Sequence, residues 1–240
     1  MSTPTRKRNL RNNRLALNLK ISFLQDVFTI IEELTGDCPG VGLPNGFIVP
    51  RNYYRVLRDL QKRHKITKYF LSNPNKIKQL PEWTVIKDII NLYKSYWKKN
   101  RWKLRLAKEY IKENLQFDDF LERLKKITGH KWRTKSLDVF LTLGYKNSGT
   151  YDRRNNVIRI GIHENKKKYL IYTLYHELIH YHIVKHMKKK LSESDEEILC
   201  RAIFSAIFKD DPIAQSHWKE GMHKNEIKKI EKKRLSLCSN

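Results

Sequence analysis

Cysteine is nearly absent from this chain. Cys38, Cys200 and Cys238 are odd in number and widely spaced, with no C-x-x-C pair. That spacing excludes a disulfide framework and a zinc ribbon and points to a reducing compartment. Long apolar runs are missing too: nothing approaches the ~18 residues that a membrane-spanning helix needs, and the N-terminus is basic and polar without a signal-peptide core. The chain therefore reads as soluble and intracellular, cytoplasmic or associated with a nucleoid or nucleus, with no membrane partner. Acidic residues are in deficit, 25 Asp and Glu against 50 Lys and Arg in 240 residues, for a formal charge of +25. Such a field attracts polyanions. Nucleic acid is the first partner it suggests, ahead of an anionic membrane surface. Residues 51 to 150 hold 25 Lys and Arg against 9 Asp and Glu, so +16 of the excess lies there. A solvated, charge-rich surface gives the same composition without function. Internal repeats, long low-complexity stretches and recognised nucleic-acid motifs are all lacking.

What is present organises around Tyr169 to Ile183, YLIYTLYHELIHYHI. His176, Glu177 and His180 form H-E-x-x-H, and Leu170, Ile171, Leu174, Leu178, Ile179 and Ile183 supply helical apolar spacing around them. Between His163 and Glu220 the only Gly or Pro is Pro212. Positions four apart share one helix face, so the two imidazoles can converge on one cation while Glu177 points toward its open side. A catalytic zinc needs that arrangement: two His ligands, a third protein ligand, and a water that Glu177 can deprotonate. The competing reading is an amphipathic helix with coincidentally spaced histidines.

Taken in order, residues 1 to 20 carry Arg6, Lys7, Arg8, Arg11, Arg14 and Lys20 among small polar residues and read as a flexible basic arm, with Arg6 and Arg8 as candidate phosphate contacts. A helix is predicted from Ile21 to a C-cap at Gly36, then a Gly/Pro-rich loop over residues 37 to 46. Further helices are expected over Tyr53 to His64, from Pro81 onward as one long helix or two broken near Asn100, and from Phe117 to Ile127, with SNPNK at 72 to 76 as a break. Tyr93, Trp97 and Trp102 alternate with Lys94, Lys98, Lys99, Arg101 and Lys103, an interleaving that can stack and neutralise single strands. Lys98, Lys99, Arg101 and Trp102 are the candidate contacts. Helical periodicity explains the same pattern with the aromatics in the core and the lysines in water, and that reading is favoured.

Near residue 130 the pattern changes. Val139 to Leu143 is β-prone, and Tyr151 to Ile162 reads as a hairpin turning at Arg153 to Asn156. A strand then precedes the H-E-x-x-H helix. The fold class is α+β: an arm over 1 to 20, a basic helical region over 21 to 130, a compact domain over 131 to 212 bearing the motif, and a basic helix or tail over 213 to 240.

On these residues, over about 136 to 210, the chain resembles the zincin metallopeptidases, in which a mixed sheet precedes the active-site helix and a substrate peptide pairs with an edge strand. The resemblance implies His176 and His180 as zinc ligands, Glu177 as general base, zinc-dependent hydrolysis of a protein or peptide substrate, and Val157 to His163 as the strand nearest that substrate. Within the zincins the chain looks most like the ImmA/IrrE-like members, whose metal glutamate opens a following helix. Glu197 in SESDEEILCRAIFSAIF takes that place, although Cys200-Arg201 stands where those proteins have Ala-Asn, and the Gly common before the second His is missing. Ser194 to Glu197 also fits a capping box with Ser194 as N-cap and Glu197 at N3, and Glu196 is the next ligand candidate if the register shifts by one. A second resemblance, to SprT-like zincins acting on DNA-bound proteins, makes His217 the alternative third ligand. His182, His186 and His223 are weaker, since His182 lies about 200° around the helix from His180. The alternative of another class is a nucleic-acid-binding protein whose zinc site is structural or vestigial.

Overall fold

Leu17, Leu19 and Ile21 alternate with Asn18 and Lys20, and this period of two makes strand β1, Ala16–Ile21. The computed structural model describes residues 16–36, 43–145, 148–162, 167–186, 191–219 and 222–238, so Arg6, Arg8 and most of the expected arm lie outside the described residues. Residues 16 to 20, expected to be part of that arm, instead pair in parallel with strand β2, Ser136–Thr142. The alternation lets the strand bury one apolar face, while Lys20 and Asn18 bond the Asp138 carboxylate at 2.6 and 3.0 Å on the other.

The remaining strands are β3, Gly149–Asp152, and β4, Val157–Gly161, antiparallel to each other across the expected turn. β4 pairs in parallel with β2, and the sheet order is β1-β2-β4-β3. This corrects the expectation for Val157 to His163. β4 is internal and β3 lies at the edge beyond it, because the chain leaves β2, crosses to the outside and returns through the hairpin. His163 itself lies outside the described residues.

Helices supply the rest of this α+β fold, ten of them among the described residues. Helix α1, Phe23–Thr35, starts at an N-cap Ser22 and ends at Gly36, whose φ of 79° needs a residue without a Cβ. Helix α2, Arg51–His64, leads into two short helices, α3, Ile66–Phe70, and α4, Pro74–Lys78. The expected break at 72 to 76 is thus partly helical, since Asn73 caps a turn opened by Pro74. Helix α5, Trp83–Asn114, is continuous through Asn100, whose amide donates to the Tyr96 carbonyl at 2.9 Å. At 32 residues it runs about 48 Å. Helix α6, Phe117–Thr128, closes on Gly129.

Two buried cores share α5. Val27, Ile30, Ile31 and Leu34 of α1 meet Leu57, Leu60, Ile66 and the first turns of α5 through Ile86, Ile89 and Tyr93. Leu104 and Ile111, farther along α5, join Phe120 and Leu124 of α6, the strand residues Leu137, Val139, Leu141, Ile158 and Ile160, and the helices that follow. Packing therefore does not divide at residue 130: the sheet-side core reaches back into α5, α6 and β1. Tyr96 and Trp97 pack against both cores.

Buried polar groups stitch the two halves. Asp26, fully buried, accepts bonds from Tyr93 Oη, Trp97 Nε1 and the backbone N–H groups of Leu143 and Gly144 at 2.8 to 3.0 Å. Gly144 is obligatory there, because a Cβ would fall 1.6 Å from Thr29 Oγ1. On the sheet face opposite Ile158 and Ile160, buried Arg159 bonds Glu32 and Asp152 and lies over the Phe28 ring.

Candidate metal centre

The motif lies on helix α7, Lys167–His186, whose residues from Leu170 to Tyr175 and most of those to Ile183 are buried. It packs its apolar side on Ile158 and Ile160 and its other flank on helix α8, Glu193–Ile207. Helices α9, Pro212–Lys219, and α10, Lys224–Cys238, complete that side. No described helix is long and apolar enough to cross a membrane.

Three donor atoms converge between α7 and α8. His176 Nε2 and His180 Nε2 are 3.1 Å apart, and Glu197 Oε2 lies 3.0 Å from the second and 3.5 Å from the first. Ligand atoms ~2.0–2.1 Å from a tetrahedral zinc stand about 3.3 Å from one another, and the three separations here lie close to that value. The other Glu197 oxygen is held by Arg201 Nε, and Arg201 in turn donates to the Trp218 carbonyl at 2.6 Å.

The helix start differs from the capping box read in the sequence. Ser192, not Ser194, is the N-cap, accepting from Asp195 N–H at 3.1 Å. Two serines stand at the start of the acidic run, and the helix begins at the earlier one. The extra residues place Asp195 at N3 and carry Glu197 into the second turn, free of capping and turned toward the histidines.

Cys200, one turn beyond Glu197, is fully buried and forms a potential ligand group with the two histidines. In the sequence the signal for it is the i,i+3 spacing from Glu197, which puts both on one helix face. Its Sγ is 3.7 and 3.8 Å from Nδ1 and Nε2 of His176 and donates to the His176 carbonyl at 3.4 Å. A ligand on the Nε2 lone pair would lie much nearer Nε2 than Nδ1, so the sulfur sits beside the ring, and Glu197 is the better-aimed third donor.

Electrostatics favour a cation at this point. Burial alone would lower the His176 pKa, but Cys200 and Glu197 outweigh it and raise it to about 10. His180 is likewise pushed well up against its burial. Burial would lift the Glu197 carboxyl, yet His176, His180 and Arg201 hold it far below the carboxylate range.

Glu177 is buried on the sheet side of α7. Burial raises its pKa, opposed by His180, His176 and a bond from the Tyr151 backbone N–H. The 148–161 pair of the hairpin is hydrogen-bonded, with Gly161 N–H to the Ser148 carbonyl at 2.7 Å, so alternation turns the Gly149 and Tyr151 peptides to the open side of β3. Gly149 permits the close approach: a Cβ there would fall 2.9 Å from Glu177 Cγ and Thr173 Cγ2.

His217 is not among the converging side chains. Its ring packs against Tyr169, Tyr172 and Phe204 at centroid distances of 4.9 to 6.1 Å. His182 faces elsewhere, beside Trp132, His186 and Thr128 Oγ1, and His223 N–H caps toward Glu226. On α5, Tyr93 is buried and Trp97 is tied to Asp26, whereas Trp102 is 54% exposed beside exposed Lys98, Lys99 and Arg101. Comparison with family models, curated proteins and solved structures gives no match.

Proposed function

We propose that this chain is a zinc-dependent metallopeptidase of the zincin type, hydrolysing peptide bonds in a protein substrate. The observation that carries the reading is the 3.0 to 3.5 Å convergence of His176, His180 and Glu197 donors, with Glu177 buried one residue along the same helix. Those three residues would hold the metal. Zinc there would supply Lewis acidity toward the scissile carbonyl and favour ionisation of the attacking water. Glu177 takes the water's proton and returns it to the leaving amine, and its burial-raised pKa suits that exchange. The open edge of β3 would offer an extended substrate backbone partners with modest sequence preference, and Gly149 lets β3 itself lie against Glu177.

Elemental analysis of the purified full chain tests the metal. About one zinc per chain is expected in the parent, in His217→Ala and in Cys200→Ala, with loss in Glu197→Ala. Loss in Cys200→Ala alone would transfer the third position to the thiol. No zinc after reconstitution would end the reading.

Exposed Trp102 among lysines and arginines favours a second activity on another surface, single-stranded nucleic-acid binding along α5. A single-stranded oligonucleotide is expected to bind at low ionic strength, with log K falling linearly in log salt. Trp102→Ala should weaken it by about 1–3 kcal/mol, the worth of one stacked base. No binding at low salt rejects this.

A further inference from the structure

His180 has a second nitrogen, and its partner is specific. Nδ1 lies 2.9 Å from Oε1 of Glu196, a residue only 5% exposed. The other Glu196 oxygen is bonded by the Arg153 guanidinium. An ionised carboxylate only accepts hydrogen bonds, so Nδ1 keeps its hydrogen and Nε2, which faces His176 and Glu197, is the nitrogen left to give up its proton and ligate a metal. The turn that carries Arg153 is itself anchored. Arg153 opens this β3–β4 turn, where Asp152 accepts from the N–H groups of Arg154 and Asn155 at 3.0 and 3.2 Å and from buried Arg159 at 3.1 Å. The hairpin that holds Glu177 through the Tyr151 N–H therefore also bonds Glu196, the partner of His180, two residues later.

We infer that Glu196 and Arg153 are positioning residues that fix the tautomer and ring orientation of His180 and so set metal affinity from the β3–β4 hairpin. The inference rests on the metal-centre reading above. Outer partners of this kind typically change metal affinity by about 10–100-fold.

The test uses zinc titration of the full chain against a competing chelator, with urea unfolding of the zinc-free forms alongside. Glu196→Gln is expected to weaken zinc binding by about 10–100-fold without shifting the zinc-free unfolding midpoint comparably. Arg153→Met should weaken it in the same direction, and Arg153→Lys should recover most of the loss. Because the Arg153 side chain is 40% exposed, its variants keep the test alive if Glu196→Gln does not fold. A parent that binds zinc, with the folded variants binding equally well, would overturn the positioning role and leave the metal centre standing. A parent that binds none would overturn both.

Discussion

Glu177→Gln is expected to lower hydrolysis of a fluorogenic peptide mixture by about two to four orders of magnitude while the zinc content stays at the parent value. The substitution is nearly isosteric. Its carbonyl oxygen can still accept from Tyr151 N–H, the contact that ties the side chain to β3, and it does not alter His176, His180 or Glu197. What it removes is the ability to accept a proton. A variant that retains zinc and cleaves at the parent rate would show that Glu177 is not the base. Coincident loss of zinc and activity would instead assign it a structural part in the centre.

Asp26→Ala carries the largest expected cost in stability. Asp26 gathers four donors from α1's surroundings: Tyr93 and Trp97 on α5 and two backbone N–H groups beyond β2. Truncation would leave those buried donors without an acceptor, a defect worth about 3–5 kcal/mol, readable as a lowered urea midpoint. The native carboxyl also has a pH signature. Burial raises its pKa from 3.8 to about 7 against the opposing bonds of Tyr93, Leu143, Gly144 and Trp97. The folded state then holds this proton more tightly than the unfolded chain. Its contribution is complete below about pH 4 and fades as pH rises through about 7. Stability measured from pH 4 to 8 should therefore lose one falling component in Asp26→Asn relative to the parent. Identical pH slopes would refute the raised pKa.

The legible parts of the fold are those whose cause is local. Apolar spacing with a terminal glycine gives α1 and α6, and the alternation of Ile158 and Ile160 after an Asn-rich turn gives the hairpin. β1 was hidden because its Leu17, Leu19 and Ile21 sit in a basic stretch and find their partners 120 residues away. Parallel pairing leaves no turn in the sequence to mark it. The order of β3 and β4 was hidden for the same reason, since alternation defines a strand but not its neighbours. At the candidate site, His176 and His180 are legible through helical spacing, whereas Glu197 enters only through the resemblance to zincins whose metal glutamate opens the following helix. Cys200, the Glu196 contact and Arg153 depend on how α7, α8 and the hairpin meet, which no single periodicity encodes. The exposed and buried aromatics of α5 divide in a similar way: spacing places Tyr93 inward, but only the second core shows why Trp102 is left outside.

The pairing of β1 with β2 also orders events during synthesis. The core built from Val27 to Tyr93 uses contacts close in sequence and can condense while later residues are still being made. The sheet has to wait. Until Ser136–Leu141 emerges, β1 has no partner, and closing a loop of that size costs about 4 kcal/mol in chain entropy. Helices α7 and α8 follow later still. They would thus be made after that local core has had the chance to form, and a ribosome stalled before residue 136 is expected to leave Leu17, Leu19 and Ile21 without their strand partner.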